Sequence, residues 1–173
     1  MLSKTILSKF PIGPSLFIGR ACATPMGTIR SINISTEKGT VKRPVDSICV
    51  IEDFGLEGDA HAGKWHRQIS LLSYEKFEAF KASGVPIEPG AFGENLLVEG
   101  FDFKELPVGT IFRSGDVRLE MTQIGKKCHT GCEIYKITGD CIMPREGVFA
   151  RVLSGGFLTT GDPFEIESQP NSV

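Results

Sequence analysis

From Met26 onward the apolar residues fall in short alternating runs, each cut off by glycine, proline or small polar residues. That pattern confines the chain to a fold of many short strands. "TIRSINI" reads as a first strand that offers Ile29, Ile32 and Ile34 to a core before the break at "TEKGT". "SICVIEDFG" and "QISLLS" follow, and Ser73 is placed to cap a helix whose first turn holds Glu75. That helix, "YEKFEAFKASG", sets Phe77 and Phe80 at helical spacing and stops at Gly84 with Pro86 beyond. "ENLLVEG", "TIFRSGD", "VRLEMTQIG", "GVFARVLSGG" and "DPFEIES" read as further strands, with Ser114-Gly115-Asp116 as a hairpin turn. The total is roughly eight strands with one clear helix and no regular strand–helix alternation. A Rossmann-type sheet is therefore excluded. The expected class is mainly β, a closed or nearly closed β-barrel with one or two short helices.

A chain of 173 residues suits one well-buried domain, and its 20 Gly and 10 Pro, without a repeat, fit frequent turns. No apolar run approaches the roughly 18 residues of a membrane helix. The net charge of −2 argues against general nucleic-acid binding. Five cysteines (Cys22, Cys49, Cys128, Cys132 and Cys141) are too few and too uneven for a secreted disulfide framework, which points to reduced thiols and a cytoplasmic setting. Residues 1–25 differ: Lys4, Lys9 and Arg20 give +3 with no acid, which leaves −5 for the remainder. Their serines and helical apolar face match an organelle transit peptide, so a mitochondrion-like location is one expectation. An upstream extension ahead of a natural start at Met26 is the other. The folded domain is expected to span residues 26–173.

Four clusters are suited to chemistry. "GLEGDAHAGKWHRQ" combines glycine amides with His61, Lys64, His66 and Arg67, a composition that holds anions, although a solvated glycine-rich connection would read the same. In "GAFGENLLVEG", Asn95 at a strand mouth either contacts a ligand or ties down its own turn. "TQIGKKCHTGCEIYKITGDC" sets Cys128 beside Lys126, Lys127 and His129. A thiol of pKa near 8.5 is only about 3% thiolate at pH 7, and a positive surround raises that fraction. Cys128 is thus a candidate nucleophile or soft-metal ligand, whereas Cys49 in its apolar strand is simply packed. Structural zinc on Cys128, His129, Cys132 and Cys141, or a disulfide of Cys132 with Cys128 or Cys141, are competing readings. The fourth cluster, "CIMPREGVFARVLSGG", offers Arg145 to an anion and Phe149 to a core or a lining.

In order, "GLEGDAHAG … HRQISLL … FGENL … VGT … QIGKKC … GVFARVLSGG … GD" resembles a stand-alone MOSC domain, named for the C-terminal part of molybdenum cofactor sulfurases, over about residues 26–167. The resemblance implies a β-barrel that binds molybdenum cofactor, a molybdopterin with a dithiolene and a phosphate. It places the family's cysteine on Cys128, as molybdenum ligand or persulfide carrier. It places the glycine-rich element on Gly58, Asp59, His61 and Gly63, the arginine on Arg67 and the asparagine on Asn95. Lys64, Lys127 and Arg145 complete the expected cofactor contacts. The implied role is cofactor maturation or sulfur transfer, with molybdoenzymes or cofactor-biosynthesis proteins as partners. One alternative is molybdenum-dependent reduction of N-hydroxylated compounds with an external electron-donor protein; another is a zinc or scaffold module. As a stand-alone member, the sequence is expected to offer neither an aminotransferase-like region to hold pyridoxal phosphate nor an amino-terminal β-barrel companion.

Overall fold

The computed structural model describes residues 26–127, 135–136 and 139–170. Its strands are β1 (Met26–Ile34), β2 (Arg43–Val45), β3 (Ser47–Ile51), β4 (Gly55–Leu56), β5 (Ile69–Ser73), β6 (Leu96–Glu99), β7 (Ile111–Ser114), β8 (Val117–Ile124), β9 (Val148–Ser154), β10 (Gly156–Thr159) and β11 (Pro163–Ser168). Helix α1 (Tyr74–Lys81) lies between β5 and β6, and α2 (Met143–Glu146) precedes β9. A single 3-10 turn spans Phe103–Glu105. All eight strands expected from the sequence are present. The three additional ones, β2, β4 and β10, are two to four residues long.

Seven strands form a ring in the order β1, β11, β7, β8, β9, β5, β6, closed by the pairing of β6 with β1. The free edge of β1 is divided: Met26–Thr28 pair with β11, and Ile32–Ile34 pair with β2. Every neighbour pair in the ring is antiparallel except β5 and β6, which run parallel and are joined by the α1 crossover. A second sheet, β10-β3-β4, lies alongside.

Alternation sorts the side chains by face. On β5, Ile69 and Leu71 join the main core cluster, while Leu72 belongs to a second cluster under α1. On β6, Leu96 and Val98 go to the first cluster and Leu97 to the second. Both faces of these strands are covered, so they read as continuous apolar runs. Phe101, Phe103, Phe112 and Phe164 fill the first cluster in stacked and edge-to-face contacts, with ring centroids 5.2–6.1 Å apart.

Helix α1 starts as its sequence dictates. Ser73 is extended, and its Oγ accepts from the Lys76 amide. Glu75 accepts from the Ser73 hydroxyl at 2.8 Å and from the Gly100 amide at 2.7 Å, fastening the helix start to the end of β6. Buried Phe77 anchors the helix on Leu72 and Leu97 and meets Phe92 edge-on. Burial of that one ring contributes about 2 kcal/mol.

Candidate functional site

A cavity of about 330 Å³ opens on the outer side of the β5–β6 seam. Its wall draws on Thr40 and Lys42 before β2, His61, Trp65 and Arg67 before β5, Ser70 on β5, Phe92, Gly93 and Asn95 before β6, Lys126 after β8, and Phe149 on β9. Chain segments remote in sequence are held together here by one buried carboxylate.

That carboxylate is Asp59. Its Oδ2 accepts from Lys42 Nζ at 2.5 Å, from Asn95 Nδ2 at 3.0 Å and from the Ser35 amide at 3.3 Å; its Oδ1 accepts from the His61 amide at 2.8 Å. Both side chains of the Lys42–Asp59 ion pair are almost fully buried, at 2% and 1% exposure. Burial alone pushes the Asp59 carboxyl upward, but the hydrogen bonds from His61 and Lys42 outweigh it and hold the group below the usual carboxylate range. Burial lowers Lys42, against the opposing pull of Asp59.

Asn95 is equally committed. Its Oδ1 accepts from the Ser70 amide and hydroxyl, and its Nδ2 donates to the Asn33 carbonyl as well as to Asp59. It lines the cavity while tying β1, β5 and the loop before β6 into one frame. Next to it, Glu94 is wholly buried and accepts from the Gly90 and Phe92 amides at 2.6 and 3.0 Å. Burial pushes its carboxyl up to about 7 despite those amides. Gly90 is obligatory in this loop: its φ is +90°, and an added Cβ would sit 2.2 Å from the Lys42 carbonyl.

The segment carrying Arg67 is pinned by a bulge. Pairing of β8 with β9 slips between Met121 and Gln123, which frees Thr122 to direct its hydroxyl at the carbonyls of His66 and Phe149. Gln123 meets His66 Nε2 at 3.0 Å. Arg67 lies against two rings, its Cζ 4.7 Å from the Trp65 centroid and 5.5 Å from that of Phe149. Its Nε is buried without a hydrogen-bond partner among the described residues.

Of the residues singled out from sequence, Asp59, His61, Arg67 and Asn95 converge: three line the cavity and Asp59 binds its wall together. Gly58, with φ +75°, and Gly63 shape the loop that carries Asp59 and His61. Lys64 and Lys127 are exposed and do not line the cavity; Lys126 does. Arg145 is also outside the lining and grips Asp140 with both terminal nitrogens, at 2.9 and 2.8 Å. Cys128, His129 and Cys132 lie outside the described residues. Cys141 is buried, lines the cavity and packs in the cluster under α1. Among the described residues no three His, Cys, Asp or Glu side chains converge to hold a metal ion, and no helix is long and apolar enough to cross a membrane.

Sequence reasoning missed Lys42, Trp65 and Ser70. Lys42 carries no local signal, because its burial depends on a carboxylate seventeen positions away. Ser70 reads as an ordinary strand residue. Trp65 was findable, as the chain's one tryptophan set inside its glycine-rich loop.

The chain is similar to known proteins over most of its length. YflK of Bacillus subtilis is 25% identical over 145 residues, which cover 77% of this chain; the chain spans 65% of that protein's length. The crystal structure of YuaD from Bacillus subtilis superimposes with a TM-score of 0.68 at 22% identity, covering 82% of this chain and 95% of that one. YiiM from Geobacillus stearothermophilus gives 0.62 at 23% identity, covering 82% and 75% respectively. These structural likenesses establish a shared barrel. The family model for the MOSC domain matches residues 58–165, from the loop that carries Asp59 to the last strand of the ring, so this chain belongs to the MOSC domain family.

Proposed function

We propose that the cavity binds molybdenum cofactor and that the protein acts in maturation of that cofactor or in sulfur transfer, through Cys128. Membership of the MOSC family supports a role connected with the cofactor. One observation carries the finer reading: Arg67 and Lys126 line the cavity, and neither has an acidic partner among the described residues. Two cations left without counter-charge beside Ser70 and the open backbone at Gly93 suit a phosphate monoester. Phe92 and Phe149 offer apolar faces for a flat ring system.

The residues present fit the phosphorylated end of the cofactor. Arg67 and Lys126 would hold the phosphate, while the saturated amide of Asn95 keeps the wall in register. The soft-metal end needs a thiolate. Cys128 follows Lys126 by two positions and is the residue assigned to it, as ligand or as carrier of a sulfur atom received from a donor protein. When bound, the cofactor supplies the soft metal centre to which that sulfur has affinity.

Protein produced in a host that makes the cofactor, and purified without oxygen, is expected to carry molybdenum and pterin in near-stoichiometric amounts. Arg67→Gln is expected to lower pterin occupancy about tenfold or more, the scale of a charge-assisted hydrogen bond. Cys128→Ala is expected to lose the metal or the extra sulfur. Well-folded wild-type protein with neither metal nor pterin would sink the assignment.

A further inference from the structure

We propose that Trp65 is a positioning residue, which holds the Arg67 guanidinium against its ring and so keeps it ready for an oxyanion in the cavity. The inference rests on reading the cavity as an anion site, but not on that anion belonging to molybdenum cofactor.

The contrast among the arginines carries the argument. Arg113, Arg118, Arg145 and Arg151 are each steered by a carboxylate, at 2.5–2.8 Å from Glu165, Glu167, Asp140 and Glu120. A guanidinium held that way is oriented but also neutralised. Arg67 is oriented by two aromatic rings instead, those of Trp65 and Phe149. A ring attracts a cation through its quadrupole and contributes no net charge, so the positive charge remains available to a ligand.

The two rings are not equivalent. Phe149 is a buried strand residue whose place follows from the barrel. Trp65 is 39% exposed on a loop and needs separate fastening. Its indole Nε1 donates to the His61 carbonyl at 3.0 Å, which links it to the loop that Asp59 holds. The carbonyl of the next residue, His66, is held by Thr122. Trp65 therefore transmits the position of the Asp59 loop to Arg67. Its removal leaves a half-open guanidinium with one ring and no carboxylate, free to swing into solvent.

The test is calorimetric titration of the full chain with inorganic phosphate at constant ionic strength. Trp65→Ala is expected to weaken phosphate binding roughly fivefold, in line with one cation–π contact, and Trp65→Phe, which keeps a face but loses the Nε1 bond to His61, is expected to weaken it by no more than that. Arg67→Lys keeps the charge but loses the planar stack, and is expected to weaken binding at least as much as Trp65→Ala. Melting temperatures without phosphate separate lost folding from lost binding. Trp65 is the one tryptophan in the chain, so a saturable change in wild-type emission with the calorimetric midpoint places the anion at this cavity. Wild-type protein that does not bind phosphate, binding unchanged in Trp65→Ala, Trp65→Phe weaker than Trp65→Ala, or binding with silent emission would each overturn the proposal. The expected pattern in a protein that carries no molybdenum or pterin would end the cofactor reading and leave this one standing.

Discussion

The lumen of the barrel and the wall of the cavity occupy opposite faces of the same strands, yet they are built on different terms. On β5, Ile69 and Leu71 turn into the lumen while Ser70 turns to the cavity; on β9, Ala150 turns inward and Phe149 outward. The lumen is held by apolar contact, which is roughly proportional to area and indifferent to direction. The wall is held by Lys42, Asp59, Asn95, Ser70 and Glu94, all buried, each satisfied by specific partners. A buried polar frame of this kind fails when one member is lost, because the others keep their desolvation cost without their bonds. A lumen tolerates exchange of one hydrocarbon for another.

Three measurements would break or sharpen that contrast. Asp59→Ala is expected to cost about 4 kcal/mol in urea unfolding, because Lys42 is left buried without its carboxylate. The double change Lys42→Met with Asp59→Leu is expected to recover much of that stability and still lose phosphate binding. Recovery of both would show that the frame is not what shapes the cavity. Phe112→Ala, wholly inside the lumen, is expected to cost about 3–4 kcal/mol, while the folded fraction binds phosphate as the wild type does. Altered affinity there would mean that the two regions are coupled through the strands.

The third and smallest effect is a pH dependence centred on Glu94. Its carboxyl ionises near 4.5 when unfolded and near 7 when folded, so between those values the folded state holds the extra proton. Stability therefore falls as pH rises from about 4.5 through 7 and levels off above, by roughly 3 kcal/mol at most. Glu94→Gln should flatten that slope. Asp59, with its carboxyl held low, works in the opposite sense: its contribution is present at neutral pH and is lost only in acid. An unchanged slope in Glu94→Gln would assign the dependence to some other group.

The barrel was legible because its information is local. Apolar runs set between turn residues identified eight of the strands, and Ser73 with Glu75 marked the start of α1. The loop glycines, Asp59, His61, Arg67 and Asn95 were also visible, as a motif. What each of them does was not. Asn95 was read as either a ligand contact or a turn fastener, and its amide turns out to hold three segments of chain. Arg145 was read as an anion contact; it stands outside the cavity lining and bonds Asp140, five residues earlier. Lys42 was not singled out at all. The partners of Lys42 and Asn95 lie 17 to 62 residues away along the chain, and no local pattern encodes that.

One consequence follows from the number of strands in the ring. Seven is odd, so directions cannot alternate all the way round, and at least one pair of neighbours must run the same way. That pair is β5 and β6. A hairpin cannot join such neighbours, so the chain has to leave the wall, travel outside as α1 and return through the loop that carries Glu94 and Asn95. The place where arithmetic forbids regularity is thus the place where the chain gains room for polar side chains, and a ligand pocket there needs no disruption of the cylinder itself.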